Sequence, residues 1–213
     1  MTDVKAVPTS STDPDVTSGV AQFLSPVVID LQALAVDGKQ AHWHVRGANF
    51  IGVHELLDTV VAHAQDYADT AAERVVALGL PIDARIATVA AKTTTPALTE
   101  GFQQADATIV QIIASIDAAL KNVRVAIDEL AELDPASQDV VIEIARGLEK
   151  DRWFLFAHIA AELASQKGRS FGAALLRARA EAFPLRMGSG SVRPLAGEHR
   201  APDRHRAQRV LRC

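Results

Sequence analysis

Cysteine is almost absent from this 213-residue chain, because the single one, Cys213, is the last residue. An internal disulfide framework is therefore excluded, which fits a protein of a reducing compartment. Aromatic residues make up only 5% of the sequence. Alanine, valine and leucine are abundant instead, so the composition favours helices in one globular domain with a sizeable core.

Long apolar segments are also missing. The sequence has no run of 18 apolar residues, so no membrane span is expected. The first 19 residues lack the apolar core of a signal peptide. We therefore expect a cytoplasmic protein that does not interact with a membrane.

Charge is distributed unevenly along the chain. Residues 1–166 carry 11 basic and 23 acidic side chains, whereas residues 167–213 carry 11 basic and 3 acidic ones. The sequence therefore predicts a flexible N-terminal arm over 1–20, an acidic folded body over 21–166 and a basic, flexible tail over 167–213.

Hydrophobic periodicity predicts four long helices, over about 26–45, 50–78, 100–133 and 135–164. Pro26 is expected in the first turn of the first helix, with Ser25 as its N-cap. A threonine-rich connection over 81–98, with one short helical turn, joins the second helix to the third. This pattern predicts an all-α four-helix bundle with a short helix in its crossover. A separate short amphipathic helix is expected over 171–183.

Two histidines and three carboxylates stand out as potential metal ligands: His42, His54, Asp58, Asp69 and Glu73. At about 100° per residue, the last four share a stripe on the second helix, beside its apolar face. A solvated polar flank is the alternative interpretation of that stripe. As a ligand set, imidazole and carboxylate without thiolate suit Fe(II), and also Mn or Zn.

Spacing limits how these residues can meet. Asp58 and Asp69 are eleven residues apart, or roughly 16 Å along one helix, which is too far for one ion. If all five belong to one centre, the second helix must pair antiparallel with its copy, and a two-fold dimer then holds two equivalent sites. No histidine has Glu three residues before it, so an intrasubunit di-iron site of the Glu-x-x-His type is disfavoured.

The run 39-KQAHWHVRGANFIGVHELLD-58, followed by 67-YADTAAERVVALG-79, resembles the signature of the Dps family, the DNA-binding proteins from starved cells. These proteins are mini-ferritins. Segment 135–159, with its Trp, is similar to the family's fourth helix, and the resemblance covers about residues 20–165. It implies a ferritin-like four-helix bundle that assembles through antiparallel two-fold dimers into a hollow homododecamer.

The resemblance also implies an activity. Family members are ferroxidases that oxidise Fe(II), preferentially with hydrogen peroxide rather than oxygen, and store ferric mineral inside the shell. Carried over to this chain, the iron ligands and catalytic residues are His42, His54 and Asp58 from one subunit with Asp69 and Glu73 from its dimer partner. Two-electron reduction of peroxide limits the formation of hydroxyl radicals and so protects DNA.

Further roles follow for residues around this set. Trp43 matches an aromatic near the family's site, where it would intercept radicals, and simple packing is the alternative. Asp139 and Glu143 match the region of the acidic iron-entry pore, although acids at a helix N-terminus also complement its dipole. Four other side chains are interpreted as surface, interface or salt-bridge residues: His44, His63, Arg46 and Arg74.

The basic tail is the expected contact with DNA, sequence-independent and salt-sensitive, in a nucleoid-associated protein. Its candidate DNA-binding residues are Lys167, Arg169, Arg204, Arg206, Arg209 and Arg212. A solubilising or shell-stabilising extension is the alternative. Three functions are thus open: a ferroxidase and iron store, a DNA-compacting structural protein, and a metal-binding module without turnover.

Overall fold

Four long helices and one short helix make up the fold. The computed structural model describes residues 12–182, with side chains as far as residue 160. The elements are α1 (Pro14–His44), β1 (Val45–Arg46), α2 (Phe50–Ala77), α3 (Ile86–Lys92), β2 (Gln103–Gln104), α4 (Ala105–Leu130) and α5 (Pro135–Ala182). α1 packs against α2 and α4, and α3 lies in the crossover against α1. The expected all-α four-helix bundle with a short crossover helix is confirmed.

The first helix begins earlier than the sequence indicated. α1 starts at Pro14, whose N-cap Asp13 accepts a hydrogen bond from the Asp15 backbone N–H at 2.8 Å. The predicted start at Pro26 is therefore wrong, and so is an unstructured arm over residues 14–20. A proline inside a helix costs about 3 kcal/mol. Here it is tolerated because residues on both sides of it, Leu24 among them, are fully buried in the bundle.

The other helix ends differ in both directions. α4 begins at Ala105 rather than near residue 100, because β2 occupies Gln103–Gln104 and pairs in parallel with β1. α5 continues to Ala182, so the separate helix expected over 171–183 is the end of one long helix. Between 164 and 182 only Gly168 and Gly172 weaken the helical pattern, and each glycine costs only about 1 kcal/mol there. Residues 1–11 and 183–213 lie outside the described part.

The core follows the apolar stripes of the four long helices. Most residues along the apolar stripes of α1, α2 and α4 are buried, whereas Phe50 of α2 and Phe102 just before α4 are 38% and 59% exposed. α1 is long and apolar enough by composition to cross a membrane, and 56% of its most apolar window is buried inside the structure. The bundle lies in a compact unit that ends at Gly168, and a second unit begins at Arg169.

Polar contacts fix the helices of the first unit to each other. Arg74 of α2 donates to Asp134 Oδ2 and to Ser137 Oγ at 2.6 and 2.8 Å, at the start of α5. The predicted structural salt bridge of Arg74 is thus confirmed. Among the ion pairs of residues 12–160 Arg46 has none, and its guanidinium lies 3.1 Å from the centroid of the Phe102 ring.

Candidate functional site

Two histidines at the α1–α2 junction hold each other through backbone carbonyls. His42 Nδ1 lies 2.9 Å from the carbonyl oxygen of His54, and His54 Nδ1 lies 3.0 Å from that of His42. A carbonyl oxygen only accepts, so both Nδ1 atoms carry the proton and donate. Each neutral ring then keeps its lone pair on Nε2, the state in which imidazole binds a metal ion.

The same pairing fixes the orientation of the two rings. Their centroids are 3.6 Å apart and their planes are inclined by 22°, so they stack. His42 is buried at 6% exposure, whereas His54 is partly exposed. The two rings are therefore held in place by the backbone and by each other, and His54 remains accessible to solvent.

Asp58 stands next to this pair. Its Oδ1 lies 3.3 Å from His42 Nδ1, and the ammonium of Lys39 donates to the same oxygen. That hydrogen bond, together with the positive charge of Lys39, holds the pKa of Asp58 below its usual range. The carboxylate is ionised at neutral pH and half exposed, so a cation entering the site meets a negative ligand whose present counter-charge is Lys39.

Asp69 and Glu73 lie apart from these three residues. Both are exposed on α2, eleven and fifteen residues beyond Asp58, and at 1.5 Å per residue they are roughly 16 and 22 Å further along the helix. Among the side chains of residues 12–160, no three histidines or carboxylates approach closely enough to hold a metal ion. One subunit therefore gathers His42, His54 and Asp58, and leaves the other two carboxylates at a distance.

An open groove runs beside Asp58 between α1 and α2. Lys39, Trp43 and Asp58 line it, together with the apolar Val36 and Val61. Trp43 and Val36 are 62% and 65% exposed, so the groove presents apolar side chains to solvent. The groove is thus an apolar surface adjacent to an incomplete set of metal ligands.

Other expected site residues occupy different places. Asp139 and Glu143 are exposed one turn apart on α5. Lys167 and Arg169 lie in the helical part of α5 without described side chains, and the remaining DNA-binding candidates, Arg204, Arg206, Arg209 and Arg212, lie outside the described residues.

The two extra histidines have specific partners. His44 Nδ1 donates to the carbonyl of Gly101 at 3.1 Å, which attaches α1 to the segment before α4. His63 binds the buried Asp151 of α5.

The sequence analysis did not identify Lys39, the partner of Asp58, as a residue of the site. Its position one helical turn before His42 was a usable signal.

Several known proteins are similar to this chain in sequence. A family model described as a ferritin-like domain matches residues 24–163. A DNA protection during starvation protein of Agrobacterium fabrum is 34% identical over 143 residues, which are 67% of this chain and 88% of the relative. The chain belongs to the Dps family. The counterpart in Mycolicibacterium smegmatis is 32% identical over 142 residues, covering 67% of this chain and 78% of that protein.

Solved Dps structures have the same fold. Dps from Microbacterium arborescens, in what its description calls the high iron form, is 63% identical and superimposes with a TM-score of 0.69 over 71% of this chain and 99% of that one. Dps from Mycobacterium smegmatis, at 30% identity, gives a TM-score of 0.67 over 73% and 94% of the two chains. The family expected from the histidine and carboxylate spacing is confirmed, and with it the ferritin-like fold.

Proposed function

We propose that this Dps protein is a ferroxidase and iron store. Fe(II) is oxidised at centres between two subunits, each built from His42, His54 and Asp58 of one chain with Asp69 and Glu73 of the partner subunit. The observation that carries the proposal is the reciprocal histidine pair, which leaves two Nε2 lone pairs free for a metal ion, next to the carboxylate of Asp58.

The groove between α1 and α2 supports the two-subunit arrangement. Its exposed Val36 and Trp43 need a cover, and an antiparallel copy of the same surface is self-complementary, as a two-fold interface requires. Such a copy brings the partner's distant carboxylates towards His42 and His54. Assembly of these dimers into a hollow dodecamer follows from family membership and provides the interior that a mineral needs.

The residues of the site have distinct roles in this proposal. The two imidazoles bind Fe(II) through Nε2 while their Nδ1 atoms stay bonded to the backbone. Asp58 gives up its hydrogen bond from the Lys39 ammonium and binds the metal ion instead. Two Fe(II) ions then each give one electron to one hydrogen peroxide molecule, which takes up two protons and becomes two water molecules, so that no hydroxyl radical is released. Oxygen is the alternative, slower electron acceptor. Trp43, exposed at the groove, intercepts stray one-electron oxidants.

Iron enters through an acidic pore in this account. Asp139 and Glu143 are exposed one turn apart near the start of α5, where a ring of symmetry-related carboxylates would concentrate cations by its field. Replacement of Asp139 by Asn and of Glu143 by Gln is expected to slow iron loading and to leave oxidation by the isolated dimer unchanged.

A zinc-binding module without turnover is the competing function, and peroxide-dependent oxidation of Fe(II) distinguishes it from a ferroxidase.

The test of turnover is anaerobic loading with Fe(II) followed by hydrogen peroxide, monitored by ferric absorbance. Rapid oxidation is expected for the wild type, with loss of the rate enhancement in His42→Ala/Asp58→Ala. His44→Ala is the matched control, because His44 is on the same helix and lies outside the proposed ligand set. Oxidation at the protein-free rate in the wild type would contradict the ferroxidase proposal.

DNA binding is a second proposed function, located in the basic tail. The observation that favours it is charge: residues 167–213 carry 11 basic and 3 acidic side chains, against the strong acidic excess of residues 1–166. Multiple tails on one shell add up weak phosphate contacts, so binding is independent of sequence and weakens with salt. It places the protein on the nucleoid in the cytoplasm, where iron removal protects DNA.

Removal of the tail tests this second function. Deletion of residues 167–213 is expected to abolish a DNA gel shift and to leave peroxide-dependent iron oxidation intact. An unchanged shift after truncation would show that the acidic body binds DNA by other means.

A further inference from the structure

His63 and Asp151 form a pair outside the proposed iron centre. Both carboxylate oxygens of Asp151 lie close to His63 Nδ1, at 3.0 and 2.9 Å, and Asp151 is only 2% exposed. A buried carboxylate that accepts a hydrogen bond from Nδ1 makes this nitrogen the proton donor, and the lone pair of the neutral ring is then on Nε2. The His63 side chain is 37% exposed, so this ring reaches the surface.

The pair is on a different face of α2 from the proposed iron ligands. His63 is nine residues beyond His54, which at about 100° per residue places the two on opposite sides of the helix. His54 is directed to the α1 side, where its ring stacks on His42, whereas His63 is directed to α5. The metal chemistry proposed above therefore leaves His63 unused.

Carboxylates outnumber cations near His63, with Lys150 as the positive charge close to Asp151. Tyr67, whose ring centroid is 5.9 Å from that of His63, has a pKa raised by burial and then by the negative charges of Asp151, Glu143 and Asp66. Three carboxylates thus act on the position of one phenol. Tyr67 is held against α5 because Gly147 leaves room for it, and a Cβ at that position would overlap the hydroxyl. A negative local field favours cations over anions.

We infer that His63 is a ligand for a divalent transition-metal ion, bound through Nε2 and oriented by Asp151, at a site separate from the histidine pair of α1 and α2. A carboxylate that accepts from the far nitrogen of an imidazole is the usual outer partner of a metal-bound histidine. Imidazole selects ions such as Fe(II), Zn(II), Cu(II) or Ni(II). The inference stands without the proposed ferroxidase function.

The site is a weak and exchangeable one. Among residues 12–160 no group of three or more histidines or carboxylates is close enough to hold an ion, so the metal keeps water in most of its coordination positions. Such a site exchanges its ion readily rather than retaining it. A buried site with four protein ligands would do the opposite.

Zn(II), which has no redox chemistry, is the probe for the test. The assembled full-length protein is dialysed against Zn(II), and crystals soaked in it are measured at the zinc edge. His63→Asn is the decisive variant, because the Asn amide can still donate to Asp151 while the ligand atom Nε2 is gone. His158→Asn, which removes another exposed histidine of the described region, is the matched control.

The expected result is one more Zn(II) per subunit in the wild type and in His158→Asn than in His63→Asn, with an anomalous peak about 2.0–2.1 Å from His63 Nε2. Asp151→Asn should weaken binding by about 10–100-fold, since it removes only the outer partner. Equal zinc content in the wild type and His63→Asn, without a peak at Nε2, would overturn the inference and leave the pair a purely structural contact.

Discussion

The carboxylate of Asp30 attaches the α2–α4 crossover to the bundle. It is 1% exposed and accepts four hydrogen bonds, from Thr93 Oγ1 (2.9 Å), from the Thr94 backbone N–H (2.7 Å) and hydroxyl (2.6 Å), and from Asn122 Nδ2 (2.7 Å). All four donors are neutral groups. Asp30→Ala removes the acceptor that they share and leaves α1, the crossover and α4 without this connection.

The expected loss follows from two opposing contributions. Hydrogen bonds to a charged group contribute about 1.5–3 kcal/mol each, whereas burying a carboxylate costs several kcal/mol and offsets much of that gain. Thr94 is exposed, and Thr93 and Asn122 are partly exposed, so water replaces the missing acceptor for them. We expect a net decrease of about 3 kcal/mol in the free energy of unfolding.

Limited digestion with trypsin measures this change locally. Arg85 and Lys92 are exposed in the crossover, so cleavage after them reports its opening. A loss of about 3 kcal/mol raises the cleavage rate by on the order of a hundredfold when opening is in fast equilibrium. Thermal unfolding at fixed protein concentration should shift down by about 6–12 °C.

Asp37 provides the matched control on the same helix, about two turns further on. Burial raises the pKa of Asp37, so its ionised form is disfavoured where it stands. Asp37→Asn should therefore leave cleavage and melting unchanged or slightly stabilise the protein. Cleavage of Asp30→Ala at the wild-type rate, or an equal effect of Asp37→Asn, would refute the reasoning.

Two further predictions concern α5. Burial raises the pKa of Asp134, but hydrogen bonds from Ser137 and Arg74 outweigh it and hold the pKa below its usual value. The interactions of the ionised Asp134 therefore stabilise the fold fully above about pH 4, and this contribution is lost as the pH falls further. Arg74→Met removes part of it, so the decrease of Tm on the acid side of a Tm–pH curve should be smaller in this variant. Gly147→Ala should destabilise by about 1–3 kcal/mol despite alanine's helix propensity, because its Cβ meets Tyr67, and urea unfolding showing a gain would contradict this packing.

The sequence predicted the bundle because its long helices carry clear apolar stripes. It did not predict the helix ends correctly, because burial in the bundle determines where a helix starts and stops. Pro26 is a strong local start signal, yet the buried residues before it continue α1 back to Pro14. The parallel pairing of β1 with β2 involves only two residues from each strand, and no periodicity predicts so short a pair.

Residue spacing predicted that Asp69 and Glu73 lie far from Asp58 along α2, whereas the five-residue composition of the iron centre stays a prediction. It could not predict the reciprocal hydrogen bonds of His42 and His54, because their acceptors are backbone carbonyls, which every residue has. Nor did it predict the pairing of His63 with Asp151, which are 88 residues apart in sequence and meet only when α2 packs on α5. Contacts of this kind depend on tertiary structure.

The central claim is that each iron centre needs two subunits, and mixed assembly tests it directly. His42→Ala/His54→Ala subunits and Asp69→Asn/Glu73→Gln subunits are each expected to lack peroxide-dependent Fe(II) oxidation. In a mixed dimer one of the two centres keeps all five ligands. Random reassembly of an equal mixture should therefore restore about a quarter of the wild-type centres and rate. No recovery in the mixture, or full activity of either variant alone, would contradict the account.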